Sequence, residues 1–219
     1  MELATAGADV FLHARSNRVG LEATSRSVVE LGCAAADCLA DLADSAECEK
    51  LVSKAFAWRN EINIWINNAG ADVLTEDTKD WPFEQKLELL WQVDVAATIR
   101  LSRAVGARMQ AAATPHAVIL NMGWDQVETG MEGDAGEMFA PVKGAVMAFT
   151  KSLAKSLAPQ VRVNCLAPGW IKTAWGEKAS ADWQRRAKSE SLLARWGTPE
   201  DVARVARFLA SDDAAFLTG

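Results

Sequence analysis

At 219 residues the chain lies near the upper end of what one hydrophobic core serves, and no Pro/Gly/Ser-rich linker divides it, so a single domain spanning residues 1–219 is expected. Hydrophobic residues make up 50% and charged residues 24%, which excludes a disordered chain, and no apolar run approaches the roughly 20 residues of a membrane span. A formal charge of −6 with Lys and Arg scattered along the sequence speaks against a nucleic-acid partner, since phosphate binding needs a concentrated basic face.

Met1 to Gly7 reads as the last turns of a helix closed by glycine, and Asp9 to Ala14 as a short buried strand. A polar helix follows from about Val19 to Leu31, then Cys33 to Leu39 as a strand, Ser45 to Arg59 as a helix, and Ile62 to Asn67 as a strand entering the turn Asn67-Asn68-Ala69-Gly70. Pro82 sits in the first turn of a long helix that reaches Ala111, with Phe83, Leu87, Leu90, Trp91, Val95 and Ile99 at helical spacing. Ala117 to Met122 is the next strand, an apolar helix opens at Phe139, Val161 to Leu166 is another strand, and Thr198-Pro199 starts a final helix. Strands alternating with helices of this length predict a parallel sheet covered on both faces.

The four cysteines, Cys33, Cys38, Cys48 and Cys165, form no C-x-x-C pair, and the only histidines are His13 and His116, so buried thiols and no metal site are expected. The N-terminus lacks a basic-then-apolar signal pattern, which predicts a cytoplasmic protein acting on small molecules.

Asn68-Ala69-Gly70 at a strand end, Phe139 followed four residues later by Lys143, and Pro168-Gly169-Trp170-Ile171-Lys172-Thr173 after the last strand together resemble the short-chain dehydrogenase/reductase family, nicotinamide-dependent oxidoreductases on a Rossmann sheet. The resemblance implies an α/β doubly wound parallel sheet in three α/β/α layers, missing the family's first and last strands. Members begin with a strand and a Gly-x-x-x-Gly-x-Gly turn, whereas Met1 already looks like the far end of the following helix. They also continue past a Leu-Thr-Gly such as Leu217-Thr218-Gly219 into one more strand. The missing first strand is central in the family, so its position between the strands at Asp9 and Ile62 should be vacant or closed by direct pairing of its neighbours. A fragment of a longer gene product is one expectation.

The resemblance also implies cofactor contacts. Arg15, Ser16 and Asn17 follow the strand where members choose their cofactor, and an arginine there suits a 2′-phosphate, which favours NADP, with NAD as the alternative. Asp41 and Leu42 match the pair beside the adenine, with a helix-capping aspartate as the other explanation. Asn68, Ala69, Gly70, Lys143, Pro168, Gly169, Ile171 and Thr173 fall on the segments along the nicotinamide and its ribose.

The family's catalytic groups are another matter. Its tyrosine is Phe139, and the chain contains no tyrosine at all. Its serine falls on Gly123 or Trp124, and its helix asparagine on Asp94, a carboxylate on an apolar stripe that needs a donor or a proton. Lys143 remains. The segment Asp125 to Glu137, with five acidic residues and no Lys or Arg, reads as a solvated loop, or alternatively as the source of a replacement acid, with Asp125 nearest. Two readings follow: an oxidoreductase acting on a carbonyl or hydroxyl with impaired catalysis, or a cofactor-binding or partner subunit without chemistry. Association into a homo-oligomer through the 82–111 and 139–157 helices is expected; Trp124, Trp170 and Trp175 either line or cap a pocket for a flat or apolar ligand or seal that edge of the sheet as core.

Overall fold

The computed structural model describes residues 1–219, the side chain of Glu76 excepted. A short helix α1 (Glu2–Thr5) leads to β1 (Val10–Ala14), α2 (Arg18–Glu30), β2 (Ala35–Leu39), α3 (Ser45–Arg59) and β3 (Ile64–Asn67). Then come α4 (Phe83–Leu90), α5 (Ala97–Ala111), β4 (Val118–Met122), α6 (Gly133–Leu157), β5 (Arg162–Leu166), α7 (Ala174–Lys178), α8 (Ala181–Glu190) and α9 (Pro199–Ala210).

Local chemistry sets these boundaries. Asn17 caps α2 by accepting the Gly20 N–H, and Asp44 caps α3 by accepting from Ala46 and Glu47. The chain leaves α3 through Asn60 at φ 60°, a left-handed turn that asparagine tolerates. Thr198 and Asp201 close a reciprocal capping box on α9, with Pro199 in its first turn.

All strand pairs are parallel, but they form two pieces. β1 pairs β2 in register from Val10–Ala35 to Ala14–Leu39, and β3, β4 and β5 form a three-stranded sheet with β4 in the middle. β1 and β3 do not pair, so the vacant arrangement is the one adopted and direct closure is not. The outer edge of β5 is covered by the tail: Gly219 N–H donates to Val163 O at 2.8 Å, and the Asn164 side chain donates to Leu217 O.

Helices cover both faces. Leu51 and Val52 of α3, Leu101 and Val105 of α5 and Leu153 of α6 pack with Ile119 and Val163 in one core. On the opposite face Val202, Ala206 and Leu209 of α9 pack on Val118, Leu120 and Leu166.

Two helices differ from the sequence expectation. The 82–111 helix is interrupted by a widened π turn at Trp91–Ala96, and Asp94, paired with Lys143, lies within that turn. The helix expected to open at Phe139 starts at Gly133 instead, so Pro141 lies inside α6. Proline usually marks a first turn; here the helix continues through it with one ladder bond missing.

Candidate active site

The carboxyl ends of parallel strands point one way, so the loops after β3, β4 and β5 gather at one edge beside α6. There a cavity of about 430 Å³ is walled by Trp124, Phe139, Trp170, Trp175 and Trp183, with Lys143 as the charged side chain among its lining residues. The three tryptophans expected to lie together do so, and Trp183 of α8 joins them.

The rings brace one another. Trp124 meets Phe139 edge to face with centroids 6.3 Å apart, and Trp170 contacts both Trp183 and Trp196. Behind them Glu190 accepts from the Trp170 indole at 2.8 Å and from Arg186 at 2.6 Å, while Arg186 also reaches Glu132 and lies over the Trp183 ring. Trp183 was not singled out by the sequence, because its helical spacing reads as ordinary amphipathicity.

Lys143 and Asp94 form an ion pair of 2.8 Å, with Asp94 3% exposed. The second Asp94 oxygen accepts the Ala71 N–H at 2.8 Å. The carboxylate thus has the donors its burial demands. A Cβ on Gly70 would lie 2.9 Å from Asp94 Oδ2, so a larger residue there would press on the carboxylate.

Asp125 follows β4 at the same edge. Its N–H donates to Pro168 O, and its Oδ2 lies 2.5 Å from where a Cβ on Gly169 would stand. Partial burial pushes this carboxyl above the usual range, with the Glu190 carboxylate adding to the rise. Glu137 lies in the second turn of α6 and is exposed.

The remaining predicted residues lie at the carboxyl edge of both sheet pieces. Arg15 is exposed after β1, Ser16 holds the turn by accepting the Arg18 N–H, and Asn17 serves as the α2 cap. Arg18 is tied to Asp37 at 2.5 Å. Asp41 accepts the Ala43 N–H and donates its own N–H to Glu47; the α3 cap is Asp44, and Leu42 is buried in the core. Asn68, Ala69 and Gly70 are exposed, Ile171 is bridged to Gly197, and Thr173 is exposed at the start of α7.

A buried polar ladder under the site escaped the sequence reading. Trp65 Nε1 donates to Asn67, Asn67 donates to Ser102 and Asn121, and Asn121 donates to Thr150, each at 2.8–2.9 Å. The signal available was an asparagine at the end of β3 and another one residue before the end of β4, which a turn explains equally well.

Residues 1–219 match the family described as Enoyl-(Acyl carrier protein) reductase. The chain is 32% identical over 222 residues to the 3-oxoacyl-(acyl-carrier-protein) reductase of Chlamydia pneumoniae, covering 97% of this chain and 83% of that protein. It is 32% identical over 221 residues to 3beta-hydroxysteroid dehydrogenase 1 of Eggerthella lenta, covering 97% and 81%. Among solved structures, a short-chain dehydrogenase/reductase from Serratia marcescens superposes with a TM-score of 0.88 at 26% identity, covering 99% of this chain and 86% of that one. With the parallel sheet, the strand-end turns and Lys143 in register, the chain belongs to the short-chain dehydrogenase/reductase family.

Proposed function

We propose that this chain is a nicotinamide-dependent oxidoreductase for a flat, apolar small molecule bearing a carbonyl or hydroxyl, working far below the rate of a tyrosine-bearing relative. The observation that carries this reading is the cavity wall: Lys143 is held by Asp94, and Phe139 and Trp124 stand edge to face at the positions the resemblance gives to the proton donor and the carbonyl-steadying hydroxyl.

The residues present fit the cofactor by the chemistry of their donors. Exposed backbone at Asn68-Ala69-Gly70, the Lys143 ammonium, the Thr173 hydroxyl and the Arg15 guanidinium share the carboxyl edge, and Arg15 supports NADP over NAD. When bound, the cofactor supplies or accepts hydride. Lys143 would bind its ribose, the aromatic wall would orient a flat ligand and exclude water, and Asp125 is the carboxyl best placed to hold a proton at the edge. Trp91, 44% exposed on the 82–111 helix, supports a homo-oligomer through that helix and α6.

The test separates binding from turnover. Saturable quenching of tryptophan fluorescence by NADPH, with turnover of aromatic ketones and aldehydes below about 1 s⁻¹, is expected. Phe139→Tyr with Trp124→Ser should raise turnover by about 10²–10⁴-fold. Turnover above about 1 s⁻¹ by the unaltered chain would overturn the impaired reading, and its loss in Asp125→Asn but not in Glu137→Gln would assign the acid. Quenching with no turnover at all, in the double variant too, would favour the second reading, a binding subunit, which the same aromatic wall supports.

A further inference from the structure

Charge, as well as shape, distinguishes the aromatic pocket. Its five rings fall into two contact groups, Trp124 with Phe139, and Trp183 with Trp170 and Trp175. The face of an aromatic ring is the negative side of its quadrupole, so rings gathered round a cavity attract a cation as well as an apolar group. The cluster already holds one cation, since the Arg186 guanidinium lies over the Trp183 ring, 5.2 Å from its centroid.

Two observations decide the sign of the field there. Lys143, the cation among the lining residues, is cancelled: its ammonium lies 2.8 Å from the Asp94 carboxylate, and both side chains are largely buried. A close pair of opposite charges presents little net charge to a third group. The carboxylates around the rings are not cancelled to the same degree. Arg186 bridges Glu132 and Glu190, one guanidinium between two carboxylates. Glu190 also accepts the Trp170 indole N–H at 2.8 Å, and a carboxylate on that N–H makes the ring itself more electron-rich.

Asp125 is the least compensated of them. Among the described residues its charge is met chiefly by the Gln126 backbone N–H and by no cation. Its carboxylate packs against the bare Cα of Gly169, a lining residue, with Oδ2 2.5 Å from where a Cβ would stand. Burial without a counter-charge pushes the carboxyl above its usual range, and the Glu190 carboxylate adds to the rise. A cation in the pocket would offset both. The chain from Asp125 to Glu137 continues the same sign, with five acidic residues and no Lys or Arg.

We propose that the pocket selects an organic cation, a flat ketone or alcohol whose ring carries an ammonium group, held between the aromatic faces with the Asp125 carboxylate as its counter-charge. This specificity rests on the cavity being the ligand site, as proposed above, and narrows the flat apolar ligand to one with a positive end. A neutral ligand of the same shape fills the same volume but leaves Asp125 unpaired, and an anionic one meets Asp125, Glu132 and Glu190 with like charge. A quaternary ammonium suits the site best, because its methyl groups meet the ring faces and it has no N–H to leave without a partner.

Two ketones of one shape test this by calorimetric titration of the full chain without cofactor: para-acetyl-trimethylanilinium, which is a cation, and para-tert-butylacetophenone, which is neutral. The cation should bind about tenfold or more tightly than its neutral twin. Tetramethylammonium chloride should displace it at concentrations where sodium chloride does not. Asp125→Asn should narrow the preference to about threefold or less while leaving the neutral ketone's affinity unchanged, which also shows that the variant is folded. The same charge change at Glu30→Gln, on α2, should alter neither. Equal or tighter binding of the neutral ketone overturns the proposal and leaves the pocket as an apolar site; so does a preference that survives Asp125→Asn in full. Binding of neither ketone removes the cavity as the ligand site, and the proposed function with it. A clear preference for the cation, with turnover of neither ketone when NADPH is added, upholds the cation site and removes the oxidoreductase reading.

Discussion

The two pieces of sheet are built from strands of similar sequence and end in different environments. In β4, Val118-Ile119-Leu120-Asn121-Met122, the first four residues are at 0% exposure and Met122 is half-buried, between two neighbours and under helices on both faces. In β1, Val10-Phe11-Leu12-His13-Ala14, every residue is half-buried, because one edge faces the gap between β1 and β3. An apolar run makes a strand possible; neighbours on both edges make it core. The ion pairs follow the same division. Asp94–Lys143, beside β3 and β4, is buried, whereas Arg18–Asp37, beside β1 and β2, is exposed on the arginine side at 47%.

The largest way to break this contrast is at the buried pair. Lys143→Met leaves Asp94 buried with the Ala71 N–H as its remaining described donor, and should cost about 3–5 kcal/mol in urea denaturation. Lys143→Met combined with Asp94→Asn should recover most of that loss, since a neutral amide still accepts the Ala71 N–H. A double variant no more stable than the single would show that the loss comes from the lysine's packing and not from the stranded carboxylate.

A matched pair of leucines comes next. Leu120→Ala in β4 should cost about 2–5 kcal/mol, while Leu12→Ala in half-buried β1 should cost less than about 1.5 kcal/mol. Equal losses would mean that the two-stranded piece is as well covered as the three-stranded one. Smaller again is Arg18→Ala, expected at no more than about 1 kcal/mol and shrinking with added salt, as exposed pairs do. A salt-insensitive loss above that would place the Arg18–Asp37 pair with the buried class.

Much of this arrangement could be read from the residues, because it rests on short-range rules. The strand cores and the starts of α3 and α9 follow from apolar runs, Asp44, and Thr198 with Pro199. The vacancy between β1 and β3 was legible through family resemblance alone, since nothing in Asp9 to Ala14 marks one edge as unpaired. Three features were hidden. The π turn at Trp91–Ala96 lies within an unbroken apolar stripe, and the donors of Asp94 come from residues 23 positions before and 49 after it, Ala71 and Lys143. The ladder from Asn67 to Thr150 is assembled across β3, β4, α5 and α6. The opening of α6 at Gly133 was concealed by Pro141, whose usual place is a first turn. At the site the aromatic wall was legible as tryptophans after strand ends, but the support given by Glu190 and Arg186 was not, because those residues read as a solvated helix face.

The smallest expected effect sharpens the comparison from the far face of the closed piece, where α9 covers β4 and β5. The Arg195 guanidinium at 2.6 Å and the Thr198 N–H hold the Asp201 carboxyl down from 3.8 to about 2. A carboxyl lowered by folding adds stability that is fully present above its unfolded value, near pH 4, and is lost as pH falls through about 2. Asp201→Asn should therefore lower the melting temperature slightly at pH 6, and the difference from the unaltered chain should close as the solution is acidified below pH 4. Because the carboxyl is exposed, the effect should also weaken in high salt. Carbon-13 titration of the Asp201 carboxyl gives the direct measurement. A midpoint near the unfolded 3.8 would show that Arg195 and the capping box do not act on it, and would leave the α9 side of the closed piece as insensitive to acid as an ordinary surface turn.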